Sequence, residues 1–127
     1  MAIRSYRDLK VWQTGVDLIV LCYRITEDFP SSERYDLVRQ IRRAAVSIPS
    51  NIAEGHGSDH LGDYLRYLSI ANGSLMELET QLWISHRLGF VDNDRLEGFE
   101  RSSGPLGRML AGLTRRLKER RNLTPGT

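Results

Sequence analysis

Tyr64, Leu68, Ala71, Leu75, Leu78 and Leu82 recur at spacings of 4, 3, 4, 3 and 4. That rhythm holds an apolar stripe on one side of an α-helix for about five turns, whereas a strand would scatter the same residues over both faces. A helix with one long apolar face must bury it against other helices. Three further segments supply the partner stripes: Leu9, Trp12, Val16, Ile19, Tyr23; Val38, Ile41, Ala45, Ile48, Ile52; and Leu96, Phe99, Ser103, Leu106, Leu110, Leu113, Leu117. No strand pattern competes with them. The reading is all-α: an antiparallel, up-down-up-down four-helix bundle forming one domain over residues 1–127, with helices near 8–28, 32–55, 59–88 and 93–121.

Turn and capping residues set the boundaries. Asp8 is a cap or first-turn acid for helix one, and Phe29-Pro30 ends that helix because the residue before a proline is pushed out of the helical region. Ser31 or Ser32 is expected to cap helix two, Ser58 or Asp59 helix three, and Asp92 or Asn93 helix four, with stops at Gly55, Gly57 and Gly89. Pro49 lies inside helix two and Gly104-Pro105 inside helix four, so both should kink without splitting. Connections of about two to six residues make neighbouring helices antiparallel. The tail, Asn122 to Thr127, should fray.

Helix one carries a second apolar set: Val11, Leu18, Cys22 and Ile25. Added to the first stripe, it makes this helix apolar over much of its circumference: either the helix is unusually buried in its own bundle or, as we expect, another copy of the chain packs against it. With 40% hydrophobic and 27% charged residues the composition is that of an ordinary globular domain. One cysteine excludes an intramolecular disulfide and fits a reducing compartment. The N-terminus lacks the apolar core of a signal peptide, and the longest apolar run, Leu18 to Cys22, is too short for a membrane span. The expectation is a cytoplasmic protein without a membrane partner.

A search for chemistry finds little. There is no phosphate-binding Gly-Lys-Ser/Thr loop, no His-Glu-x-x-His, no Cys-x-x-Cys, and no Glu-x-x-His of the kind that builds di-iron sites in bundles. His56 and His60 are four apart but straddle the expected turn at Gly57-Ser58, so they read as a solvated loop rather than a metal site. Ser85 and His86 are adjacent and point to different faces of a helix, and Cys22 reads as core. We expect no enzyme, cofactor, metal or small-molecule substrate.

Charge is more informative. From Leu106 onward Arg108, Arg115, Arg116, Lys118, Arg120 and Arg121 face a single acid, Glu119. That segment carries +5 and leaves −3 for the rest of a chain whose net charge is +2. The residues suit a helix C-terminus, and equally a contact with nucleic acid or an acidic protein. In helix two Arg39 and Arg43 fall opposite the apolar stripe and Arg42 at its flank. They read either as solvated arginines paired with Glu77 or Glu79, or as a surface for phosphate, which guanidinium geometry suits.

Three stretches resemble a known family: Asp8-Leu9-Lys10-Val11-Trp12-Gln13; the run Arg42-Arg43-Ala44-Ala45-Val46-Ser47-Ile48-Pro49-Ser50-Asn51-Ile52-Ala53-Glu54-Gly55; and Tyr64 to Leu82. The family is that of the four-helix-bundle proteins named after intervening sequences in 23S ribosomal RNA genes, and the likeness runs from about Tyr6 to Leu117. It implies a homopentameric bundle without catalysis. The family is similar to the accessory protein of diversity-generating retroelements, a basic pentamer that works with a reverse transcriptase and nucleic acid. By that resemblance RNA or DNA is a partner, and the basic surface includes Arg39, Arg42 and Arg43. The chain departs from the family at Ser102-Ser103-Gly104-Pro105.

Overall fold

A computed structural model describes residues 2–123. Its helices are α1 (Lys10–Thr26), α2 (Leu37–His56), α3 (Leu61–Arg87) and α4 (Asn93–Asn122), with short 3-10 turns at Tyr6–Asp8 and Ser31–Glu33. Among the described residues there is no strand. Pairings between helices fix their directions. Gly15 meets Pro49 while Thr26 meets Arg42, Gly55 meets Tyr64 while Ser47 meets Ser74, and His86 meets Asn93 while Leu75 meets Gly107. In each pair of helices one position rises as the other falls, so the bundle runs up-down-up-down. Residues 124–127, the end of the tail expected to fray, lie outside the described residues.

The stripes of α2, α3 and α4 form the core. Ile41, Ala45, Ile48, Ile52, Leu68, Ala71, Leu75, Leu78, Leu82, Phe99, Leu106 and Leu110 are essentially inaccessible to water. In α1 the structure corrects the reading. The second apolar set faces the centre, with Leu18 and Cys22 fully buried and Val11 and Ile25 nearly so. The Leu9–Trp12–Ile19 stripe is half-buried at the flank, and Tyr23 is exposed. Two adjacent stripes both satisfy a 3-4 rhythm, and size decided between them. Gly15 belongs to the buried one, and a Cβ there would already lie 3.4 Å from the ring of Pro49, so only that face lets α1 and α2 approach closely. Because α1 contacts both α2 and α4, its breadth is largely used inside the bundle.

Several boundaries move. α1 starts at Lys10 because Ser5 and Asp8 form a capping box around the preceding 3-10 turn. Neither Ser31 nor Ser32 caps α2; both enter a 3-10 turn, so the first connection, residues 27–36, is longer than expected and Asp36 takes the N-cap position. His60, not Ser58 or Asp59, precedes α3, while the Ser58 hydroxyl donates to the Gly55 carbonyl at 2.6 Å. Asp92 does cap α4, accepting from the Arg95 amide at 2.8 Å. Gly89, at φ 85°, ends α3: Phe90 N–H donates to Ser85 and Gly89 N–H to His86, the paired bonds of a Schellman motif.

Both prolines sit inside unbroken helices. Beside Pro49, Ser50 and Asn51 donate back to the carbonyls of Val46 and Ser47 at 2.8 and 2.7 Å, adding hydrogen bonds in the turn where proline removes one. Gly55 is not the stop expected of it. It lies within α2, and a Cβ there would come within 2.9 Å of the Tyr64 ring, so it sets how closely α2 and α3 cross.

Candidate functional site

Cys22 is sealed in the core, and burial pushes its thiol up to about 12, far from a thiolate at neutral pH. Ser85 is buried and donates to the Gln81 carbonyl at 2.7 Å, while the His86 Nε2 lies 2.7 Å from Asn93 Oδ1. His56 ends α2 and sits edge-on to Tyr64, with ring centroids 5.9 Å apart, whereas His60 is exposed at the start of α3. Among the described residues no group of three or more His, Cys, Asp or Glu is placed to hold a metal ion. No helix there is long and apolar enough to cross a membrane.

The arginines of α2 do come together. Beside the C-terminal end of α1, the outer side of α2 forms a groove of about 620 Å³. Its apolar surface is Tyr23, Tyr35, Val38 and Val46, and its cations are Arg34, Arg39, Arg42 and Arg43, with no acidic residue in the lining. The helical repeat explains the grouping: Arg39 and Arg43 are one turn apart, and Arg42 and Val46 form a second such pair beside them.

Arg42 is structural as well as charged. It is half-buried; Nε donates to Thr26 Oγ1 at 3.0 Å and Nη2 to the Tyr23 carbonyl at 3.4 Å. Its guanidinium lies 4.3 Å from the Tyr23 ring centroid. The Thr26 hydroxyl in turn donates a hydrogen bond to the Cys22 carbonyl at 2.7 Å. The last turn of α1 has carbonyls without helical donors and carries partial negative charge, and Arg42 answers both needs. Arg34, Arg39 and Arg43 differ: all three are exposed, and among the described residues none of their side chains makes a hydrogen bond or ion pair. The expected pairings with Glu77 and Glu79 do not form. Glu77 accepts from Gln81 at 3.1 Å. Glu79 faces α4, where burial and then the Glu100 charge push its carboxyl upward.

The basic end of α4 lies elsewhere. Arg115 and Lys118, with Glu119, line a separate groove between α3 and α4, and Arg116 lines another with Arg108 and Lys10. Arg120 acts on Tyr64, whose phenol burial pushes upward while the arginine draws it back down. Tyr64 packs at Gly55, about 20 Å along α2 from Arg42. Arg115, Arg116, Lys118, Arg120 and Arg121 are therefore at the opposite end of the bundle from Arg39, Arg42 and Arg43.

Sequence reasoning missed Arg34, Tyr35, Tyr23 and Val46. Arg34-Tyr35 sits in the turn before α2, outside any helical stripe, and Tyr23 falls in the first apolar stripe of helix one, which reads as core. The available signal was an Arg-Tyr pair five and four residues ahead of Arg39, close enough to share its end of the helix.

The fold and the groove define a four-helix-bundle protein with a basic, aromatic-walled surface cleft. Residues 7–112 match the 23S rRNA-intervening sequence protein family, and the chain belongs to that family. A similar solved structure is that of a protein of unknown function from the S23 ribosomal protein family of Bacteroides thetaiotaomicron. It superposes with a TM-score of 0.77 at 20% identity, covering 83% of this chain and 95% of that one. That likeness speaks for the fold alone. No curated protein matches the sequence.

Proposed function

We propose that this protein is a non-catalytic, homo-oligomeric cytoplasmic bundle that holds nucleic-acid phosphates along the groove of α2, alone or beside a nucleic-acid-processing enzyme. The observation that carries this reading is the set of exposed guanidinium groups of Arg34, Arg39 and Arg43, without a partner among the described residues, around a cleft that no acid among those residues lines. Clustered guanidinium groups suit phosphate oxygens, which they bind in a two-pronged fashion. Membership of a family named for a ribosomal RNA intervening sequence agrees with it. The test is a titration of RNA binding against salt. Three phosphates neutralised on a single strand give a slope of about −2 in log affinity against log salt. A flat response, or no binding at low salt, overturns the reading.

Self-association rests on a different face. α1 has few exposed apolar side chains to offer, but α3 exposes Ile70, Met76, Trp83 and Ile84, with Leu88 exposed just past its end. A patch of this kind marks a contact surface, and resemblance to pentameric bundles suggests the number five. Light scattering should return a multiple of the 14.5 kDa chain mass; a single-chain mass at micromolar concentration contradicts it. The same face supports a second reading, a protein–protein scaffold without a nucleic-acid role. A partner that co-purifies regardless of nuclease treatment would favour it.

A further inference from the structure

We infer that the groove selects single-stranded over duplex nucleic acid, because Tyr35 offers its ring as a platform for an unpaired base. This rests on the phosphate reading and goes one step past it. Phosphate alone needs only cations, yet this cleft pairs its cations with an apolar surface of Val38 and Val46 and two tyrosines. The two rings are not equivalent. Tyr23 already has the Arg42 guanidinium 4.3 Å from its centroid, so one of its faces is taken. Tyr35 is 80% exposed and, among the described residues, has no aromatic or cation contact. The molecule spends nothing of that ring on its own core.

Base faces are sticky and sequence-tolerant, and aromatic platforms beside a positive groove are how single strands are held. In a duplex those faces are stacked inside the helix, so a duplex can reach only the guanidinium rim. Arg39 and Arg43 stand about 6 Å apart along α2, a spacing of the order of successive phosphates in an extended strand. Arg34 adds a third cation next to Tyr35 in sequence.

The experiment compares the full chain binding a short fluorescein-labelled oligo(U) with its binding an oligo(A)–oligo(U) duplex of the same length, in the wild type, Tyr35→Ala and Tyr35→Phe. We expect oligo(U) to bind at least about tenfold tighter than the duplex. Tyr35→Ala should lose about tenfold on oligo(U), stay within twofold on the duplex, and keep the wild-type salt slope, while Tyr35→Phe keeps wild-type affinity. Equal affinity for both probes, or an unchanged oligo(U) affinity in Tyr35→Ala, overturns the single-strand inference and leaves the phosphate reading standing. Competition by polyglutamate as effective as unlabelled oligo(U) also overturns it, since the groove would then read charge without bases. No salt-dependent binding of either probe removes the phosphate reading itself, and with it this one.

Discussion

Basic side chains gather at both ends of the bundle, and the two gatherings are built differently. At the start of α2 four arginines surround a cleft with an apolar, aromatic surface, and one of them, Arg42, is bolted to α1 through Thr26, Tyr23 and the Tyr23 ring. At the end of α4 the cations lie on the last turns of one helix, where they suit its negative dipole end, and they divide between separate grooves with Glu119 among them. The family match, residues 7–112, includes the first region and stops before Arg115. Net charge alone ranks the tail higher. Geometry ranks the cleft higher, because it holds its charges on packed elements beside a surface that a ligand could cover.

The largest effect that sharpens this contrast is in stability. Arg42→Ala should cost about 2 kcal/mol in chemical denaturation, since it strips charge-assisted bonds from the end of α1. Arg116→Ala at the other end should stay within about 0.5 kcal/mol. Arg42→Lys should recover less than half of the loss, because an ammonium cannot stack on Tyr23 while reaching both oxygens; full recovery would show that only the charge matters. Next in size is access to Cys22. Its raised pKa and burial predict no reaction with a thiol reagent in the native wild type, and faster labelling in Arg42→Ala as the wall beside Thr26 loosens. A rate unchanged by the mutation would place Arg42 outside that wall.

A smaller effect tests the tail. Burial raises the Tyr64 phenol, so its proton is held more tightly in the fold. That contribution to stability is complete below the ordinary phenol range and is lost as pH rises through the raised folded value. Arg120→Gln removes the opposing charge and should move the ultraviolet titration of Tyr64 further up; a downward move would contradict the assignment. The smallest effect is a control remote from both regions. Glu79 is also raised, so it favours folding as pH falls; Glu79→Gln should stabilise by less than about 1 kcal/mol at pH 7, with the gain fading as the wild-type carboxyl protonates. Equal gain at acid and neutral pH would exclude electrostatics as its cause.

Much of this was legible in the chain itself. Three of the four stripes were correct because a lone apolar face leaves no choice of side, and Asp92 and Gly89 act at helix four's start and helix three's end as their chemistry demands. α1 is the exception: it has two overlapping stripes, and only the steric fact of Gly15 against Pro49 decides between them. The groove was half visible. Arg39, Arg42 and Arg43 follow from helical spacing, but Arg34 and Tyr35 lie in a turn whose path depends on the 3-10 segment at Ser31–Glu33, and no periodicity reports on such a turn. The special status of Arg42 also required the tertiary contact with α1.

The central claim is that the cleft, not the tail, holds nucleic acid. The direct test sets Arg34→Gln/Arg39→Gln/Arg43→Gln against Arg115→Gln/Arg116→Gln/Lys118→Gln, three charges removed in each, in a salt titration of oligo(U) binding. The account predicts that the cleft triple loses more than about tenfold in affinity and most of a slope near −2, while the tail triple loses no more than about threefold and keeps the slope. A tail triple that abolishes binding while the cleft triple binds as wild type would contradict it.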